Sequence, residues 1–351
     1  MKMNNYFDYA ASTAVSASVS HAMSPWETEK FSNSMASHTL GIESFKAVER
    51  ARFLLAQKIG AMPSEIIFTS GASESNNLAL KGLAFANIKN KGHIITTTIE
   101  HKCILNTCAF LEDIGFTITY LSPNAQGIIQ PARLVSAMRD DTFLVSVHHV
   151  NNELGTIQPV RELGAIAFER GVIFHTDAAQ SFCKLDINVD DMNIDMLSLS
   201  GHKIYGPKGI GALFIRDARN SDIVPLIHGG GQENGLRGGT HPTPLIVGLA
   251  AAVESFPRLP TIERNTILAR LEQYGCRINS DVHSIPNIIS ITFNDEQQRQ
   301  RFFAENKWLV SQGSACNSST NSPSHVLTAI GFNEQEARLT YRVSLPPYYC
   351  G

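Results

Sequence analysis

Runs of β-branched and other apolar residues recur at 65–70, 93–98, 117–121, 143–150, 172–177, 196–201 and 211–216, a pattern that predicts seven strands. Several of these runs are almost continuously apolar, as strands covered on both faces are. Between them the apolar positions follow helical spacing. Ile104, Leu105, Cys108, Leu111 and Ile114 form one stripe after His101, and Val160, Leu163, Ile166 and Ala167 form another after Pro159. Strand alternating with helix predicts an α/β domain built on a mostly parallel sheet. A Gly/Pro-rich stretch joins the last two runs, so that pair is expected to be antiparallel. Beyond about residue 245 the pattern becomes a long helix, a strand at 288–293, a polar helix over 295–306 and a strand at 308–312. Two units are therefore expected: a large one over 14–245, and a smaller α+β one from 1–13 and 246–351.

Composition removes some functions from this picture. A formal net charge of −3 argues against a broad phosphate-binding surface, so no direct nucleic-acid binding is expected. Residues 1–9 are polar, without an apolar run before a small-residue cleavage site. The longest apolar stretch, 245–253, is interrupted by Gly248 and is too short to span a bilayer. A cytoplasmic protein off the membrane is expected. The cysteines, Cys103, Cys108, Cys183, Cys276, Cys316 and Cys350, show neither a C-x-x-C pair nor a zinc-like spacing with histidine. No metal site is expected, and most of these thiols should be small core residues in a reducing compartment.

In doubly wound sheets ligands sit beyond the carboxyl ends of the strands, so residues just after each run carry most weight. The first run ends in Thr69-Ser70-Gly71-Ala72-Ser73-Glu74-Ser75, a small-residue turn into a helix. It reads either as a phosphate cradle or as an ordinary serine-capped helix. The second leads to Glu100-His101-Lys102, the fifth to His175-Thr176-Asp177-Ala178-Ala179-Gln180, and the sixth to Ser200-Gly201-His202-Lys203. A lysine desolvated in a crevice beside other positive charge would have a lowered pKa, and its neutral amine could attack a carbonyl. Pyridoxal phosphate needs such a set: a lysine for its aldehyde carbon, an acid for its ring nitrogen, donors for its phosphate and an aromatic face. Gly209-Ile210-Gly211 does not read as a dinucleotide fingerprint, because it precedes a strand and not a helix.

With His149-Val150-Asn151-Asn152-Glu153 and Arg237-Gly238-Gly239-Thr240, these motifs run in order from Asp8-Tyr9-Ala10-Ala11 to Arg342-Val343-Ser344-Leu345. Together they resemble the group I cysteine desulfurases of the class V aminotransferase fold, across nearly the whole chain. Ser311-Gln312-Gly313-Ser314-Ala315-Cys316 is similar to the segment that carries that group's reactive cysteine, and a polar loop follows over 317–324. The crowd of Ser, Asn and Thr would be a costly composition for a core. The resemblance implies a pyridoxal-phosphate transferase of fold type I, α/β, with a seven-stranded sheet and a smaller α+β domain. It implies Lys203 as covalent anchor and proton shuttle, Asp177 on the ring nitrogen, His101 stacked on the ring as an acid–base group, and Gln180 on the phenolic oxygen. Ser73, Ser200, His202 and, from a second subunit of a homodimer, Thr240 would hold the phosphate. Asn152 and Arg342 would bind the carboxylate of L-cysteine, and Cys316 would take its sulfur as a persulfide and pass it to an acceptor protein.

Three departures from that pattern stand out. Ser73 occupies a position where threonine is more usual, 295–306 replaces a longer and more apolar helical region, and the sequence ends nine residues after Arg342. The short end is similar to that of desulfurases serving DNA phosphorothioation. Iron–sulfur assembly and tRNA thiolation remain alternative destinations for the sulfur. An aminotransferase, a selenocysteine lyase and a non-catalytic sulfur-relay scaffold are rival readings. Apart from His101 and His202, the histidines, including His148 and His149, are assigned to structure or surface.

Overall fold

Each of the seven apolar runs forms a strand: β1 (Ile66–Thr69), β2 (His93–Thr97), β3 (Thr117–Leu121), β4 (Thr142–Ser146), β5 (Ile173–Asp177), β6 (Met196–Ser200) and β7 (Gly211–Ile215). They make one sheet in the order β1-β7-β6-β5-β4-β2-β3 in the computed structural model, which describes residues 5–258, 264–280, 282–313 and 323–350. The pairs β2–β3, β2–β4, β4–β5 and β5–β6 are parallel. β7 runs antiparallel to both β6 and β1. The sequence predicted only the first of those antiparallel pairings. β4 is shorter than its apolar run, because beyond Ser146 the His148 N–H turns to the Glu100 carboxylate at 3.0 Å.

Successive strand residues face opposite sides, and both sides are covered. Ile66 and Phe68 enter one core with Leu55, Leu163 and Leu249, while Ile67 enters the other with Leu78, Ile104 and Leu111. The helices of this unit are α1 (Ala17–Thr28), α2 (Thr39–Ile59), α3 (Ala72–Ala86), α4 (Lys102–Asp113), α5 (Pro131–Ala137), α6 (Val160–Glu169) and α7 (Thr243–Glu254). The helix expected to open the small unit, α7, packs instead on α1 and α2, with Ile246, Leu249 and Ala252 in the main core. The boundary expected at 245 thus falls inside a helix of the large unit.

The remaining elements are α8 (Arg264–Gln273), β8 (Arg277–Ile278), β9 (Ile288–Thr292), α9 (Glu296–Asn306), α10 (His325–Ala329), α11 (Glu334–Arg338) and β10 (Thr340–Ser344). The three strands form an antiparallel sheet in the order β10-β9-β8. Ile267, Leu271 and Phe302 pack on Ile289, Ile291 and Val343, and Phe7 joins them 4.3 Å from the Trp308 ring. The run 308–312 forms no strand. It is shared between two single bridges, Leu309 to Tyr6 and Ser311 to Arg342. Among the described residues no helix is long and apolar enough to cross a membrane.

Candidate active site

The carboxyl ends of β2, β4, β5 and β6, the start of α3, the segment 10–12 and Arg342 surround one cavity of about 490 Å³. Its lining includes Ser73, His101, Asn152, Asp177, Gln180, Ser200, His202, Lys203 and Arg342, nine of the residues singled out in the sequence. Lys203 closes a single helical turn after β6, and its Nζ donates to the carbonyls of Ala10 at 2.6 Å and Ala11 at 2.8 Å. The following turn is tight: Tyr205 has φ 65°, and a Cβ on Gly206 would lie 2.8 Å from the Gly201 carbonyl oxygen. That turn aims the lysine back over the sheet edge.

On the neighbouring strand, Asp177 is buried at the tip of β5. One carboxylate oxygen accepts from the Ala179 N–H at 2.9 Å, and the other from Asn76 Nδ2 at 2.7 Å. Across from it, α3 begins at Gly71, whose φ of 150° suits glycine and whose cap makes no side-chain hydrogen bond. The serine-capped alternative is therefore not what forms. First-turn N–H groups lack intrahelical partners, so this end of α3 is open to an anion. Gly211 permits the close approach, since a Cβ there would lie 2.7 Å from the Gly71 Cα. Ser73, Ser200 and His202 border the same end. Burial, then the charges of Lys203, Lys208 and Lys184, pull the His202 pKa down to about 4, so it is a neutral ring at pH 7.

His101 caps α4. Its Nδ1 accepts from the Cys103 N–H at 3.2 Å and lies 3.0 Å from Cys103 Sγ. Burial lowers its pKa and Asp177 works against that shift. Gln180 donates from Nε2 to the Ala10 carbonyl at 2.8 Å and accepts at Oε1 from Lys184 Nζ at 3.1 Å. Arg342 is buried on β10, with one nitrogen on the Asn152 carbonyl at 2.7 Å and another on Asp8 Oδ1 at 2.7 Å. Its Nε is buried without a partner among the described residues.

Two expected residues are not in this lining. Thr240 is exposed, on a loop held to its own chain by Arg237 Nε donating to Glu74 at 2.9 Å. Cys316 lies outside the described residues.

The cavity also recruits residues that sequence reasoning set aside. His148, assigned to structure or surface, lines it, with Nδ1 2.8 Å from Glu100 Oε1 and a buried Nε2 unpartnered among the described residues. Burial alone would raise the pKa of Glu100, but His148 and its hydrogen bonds bring it below the ordinary value. Cys103, counted with the core thiols, lines the cavity as well. Its position two residues after a helix-capping histidine was the available signal. Lys184 is fully buried behind Gln180, where burial first and Lys203 second lower its pKa to about 7.

A lysine, a carboxylate and an open helix N-terminus fit an aromatic aldehyde that bears a ring nitrogen and a phosphate. Parallel strands delivering that set to one cavity define a cofactor-dependent α/β enzyme. The comparisons narrow the class. Residues 5–350 match the family described as aminotransferase class-V. The cysteine desulfurase IscS of Rickettsia typhi is 46% identical over 352 residues, covering 97% of this chain and 86% of its own. Among solved structures, SspA in complex with cysteine is 58% identical with a TM-score of 0.97, covering 99% of this chain and 100% of that one. DndA from Streptomyces lividans is 37% identical with a TM-score of 0.81, covering 96% and 98%. The chain belongs to the aminotransferase class-V family.

Proposed function

We propose that the chain is a pyridoxal-phosphate-dependent cysteine desulfurase that turns L-cysteine into L-alanine and leaves the sulfur on Cys316 as a persulfide. The observation that carries this reading is the convergence of Lys203, Asp177 and the open end of α3 on one cavity that Arg342 closes from the small unit. Pyridoxal phosphate, when bound, supplies an electron sink for charge developing at the substrate's Cα.

The chain's own groups do the rest. Lys203 would hold the cofactor's aldehyde carbon, and its amine is the group placed to carry the Cα proton. Asp177 would keep a proton on the ring nitrogen, and Gln180 Nε2 would donate to the phenolic oxygen. The end of α3, with Ser73, Ser200 and neutral His202, would hold the phosphate, and His101 would cover the ring face. The Arg342 guanidinium, helped by Asn152, takes the substrate carboxylate in a forked pair of hydrogen bonds. The Cys316 thiolate attacks the substrate sulfur. A sulfur–sulfur bond forms, the Cβ–S bond breaks with its electron pair on the carbon side, and protonation there yields alanine.

The described flanks of the Cys316 segment support this assignment. Ser311 accepts from the Arg342 N–H at 2.8 Å, Ser324 donates to Glu153 at 2.5 Å, and His325 meets the Glu100 carbonyl at 2.9 Å. Two residues separate Gly313 from Cys316, a span of at most about 11 Å.

A homodimer is part of the proposal. Ile42, Phe45 and Phe53 leave an exposed apolar stripe on α2, and such a surface calls for a partner. A second copy would bring Thr240 to this phosphate. The five described cysteines are unpaired, which suits a cytoplasmic location. For the destination of the sulfur we propose DNA phosphorothioate modification through an acceptor protein. Loss of phosphorothioate linkages in a deletion strain, with iron–sulfur enzymes and thiolated tRNA intact, supports that destination, and the reverse pattern refutes it. The activity itself is tested by measuring alanine formed from L-cysteine. Wild type should form it and Lys203→Ala should not. Alanine release by the variant would overturn the assignment of Lys203.

A further inference from the structure

Cys103 stands two residues into the turn that His101 caps, with its thiol among the cofactor-facing groups and not in the core. Its Sγ accepts from Asn76 Nδ2 at 3.2 Å, and the same nitrogen donates to Asp177 Oδ2 at 2.7 Å. On its other side Sγ lies 3.0 Å from His101 Nδ1, which also accepts the Cys103 backbone N–H at 3.2 Å. With Asn76 and the Ser73 hydroxyl both donating to the sulfur, the thiol's own hydrogen is free to point at the imidazole. Two donors on one ring nitrogen leave it no place for a proton of its own.

We propose that Cys103 is a positioning residue: its S–H, oriented by Asn76, holds His101 as a neutral ring with the proton on Nε2 and ties that ring to Asp177. The proposal rests on the reading that His101 covers the cofactor.

The other role for a thiol here would be a second nucleophile or sulfur carrier. Burial, then the Asp177 charge, push the Cys103 pKa up to about 12, so almost no thiolate exists at neutral pH, and sulfur chemistry runs through thiolates. A hydrogen-bond donor needs the protonated thiol, which is the form present. The charges facing His101 are divided. Asp177 and Glu100 favour its cation, while Lys203 and His325 oppose it, alongside desolvation. Burial is the largest influence and favours the neutral ring, and a donor on Nδ1 acts in the same direction. Removing it leaves the Nδ1 lone pair to the backbone N–H of residue 103 alone, a weaker hold against a proton.

The test compares wild type, Cys103→Ala, Cys103→Ser and His101→Gln as cofactor-loaded proteins, by visible circular dichroism of the bound cofactor from about pH 5 to 9. His101→Gln identifies the titration that belongs to His101 by abolishing it. Cys103→Ala should move that midpoint upward by about half a unit. Cys103→Ser, which keeps a donor, should stay with wild type. A midpoint unmoved in Cys103→Ala, an equal shift in Cys103→Ser, or a wild-type protein with no His101-dependent titration would each overturn the proposal. The dichroism needs no cysteine turnover, so failure of the desulfurase reading would appear separately, as absent alanine with the titration intact.

Discussion

Lys184 is the least ordinary single residue in the chain. A fully buried ammonium with a glutamine oxygen as its hydrogen-bond partner pays for desolvation without a carboxylate to offset it. Its pKa falls from 10.5 to about 7. Between those values the unfolded chain binds more protons than the folded one, so this residue makes stability rise with pH across that window and imposes its full penalty below it. Lys184→Met removes the penalty, while leaving Gln180 Oε1 unpartnered at every pH. Relative to wild type, the variant's stability in urea should therefore fall by a few kcal/mol between about pH 6 and pH 10. Parallel stability curves would show that the lysine is not strained by burial. Arg342 makes the complementary case for geometry over charge. Arg342→Lys keeps the cation but loses the fork, and should raise the KM for cysteine roughly tenfold or more with a smaller change in kcat. An unchanged KM would remove Arg342 from the carboxylate site.

At the scale of elements, the loop carrying Arg237 and Thr240 is held by a second carboxylate besides Glu74. Glu233 takes Arg52 at 2.8 Å on each oxygen, the Phe68 N–H at 2.7 Å and His241 at 2.7 Å. Glu233 and Asn234 both hold positive φ, 51° and 55°, a conformation that this network sustains. Although burial alone would raise it, the hydrogen bonds from Arg52 bring the Glu233 pKa to about 2. That stabilisation is complete above the unfolded carboxylate's pKa and is lost as pH falls through about 2. Glu233→Gln leaves buried Arg52 with only the partly exposed Glu49 carboxylate, 2.9 Å from its Nε, and should cost about 3 kcal/mol at neutral pH. Its acid limb should also be flatter than that of wild type. A neutral result in chemical denaturation would mean that the loop is held elsewhere.

The sequence carried the strands well, because short β-branched runs alternating with helical stripes mark strands covered on both faces. It carried the strand-end residues too, since every strand except β7 delivers its carboxyl end to the same side of the sheet. The limits were set by long-range contacts. Nothing local distinguishes α7, which joins the main core, from a helix opening a new unit. His148 and Cys103 belong to the cavity only because Glu100 and Asn76, remote in sequence, turn toward them.

Across the whole molecule, the apolar stripe on α2 and the exposed Thr240 ask for a second copy. Sedimentation should give a dimer for wild type, and Phe45→Asp with Phe53→Asp should give a monomer with weakened cofactor retention. A fully active wild-type monomer would separate the site from any partner. The central claim, that Lys203 chemistry at this cavity moves sulfur from cysteine to Cys316, meets its most direct test in peptide mass spectrometry after exposure to L-cysteine without reductant. Wild type should carry one added sulfur atom on Cys316, and both Lys203→Ala and Cys316→Ser should carry none. Added sulfur on another cysteine that persists in Cys316→Ser, or on Cys316 in Lys203→Ala, would contradict it.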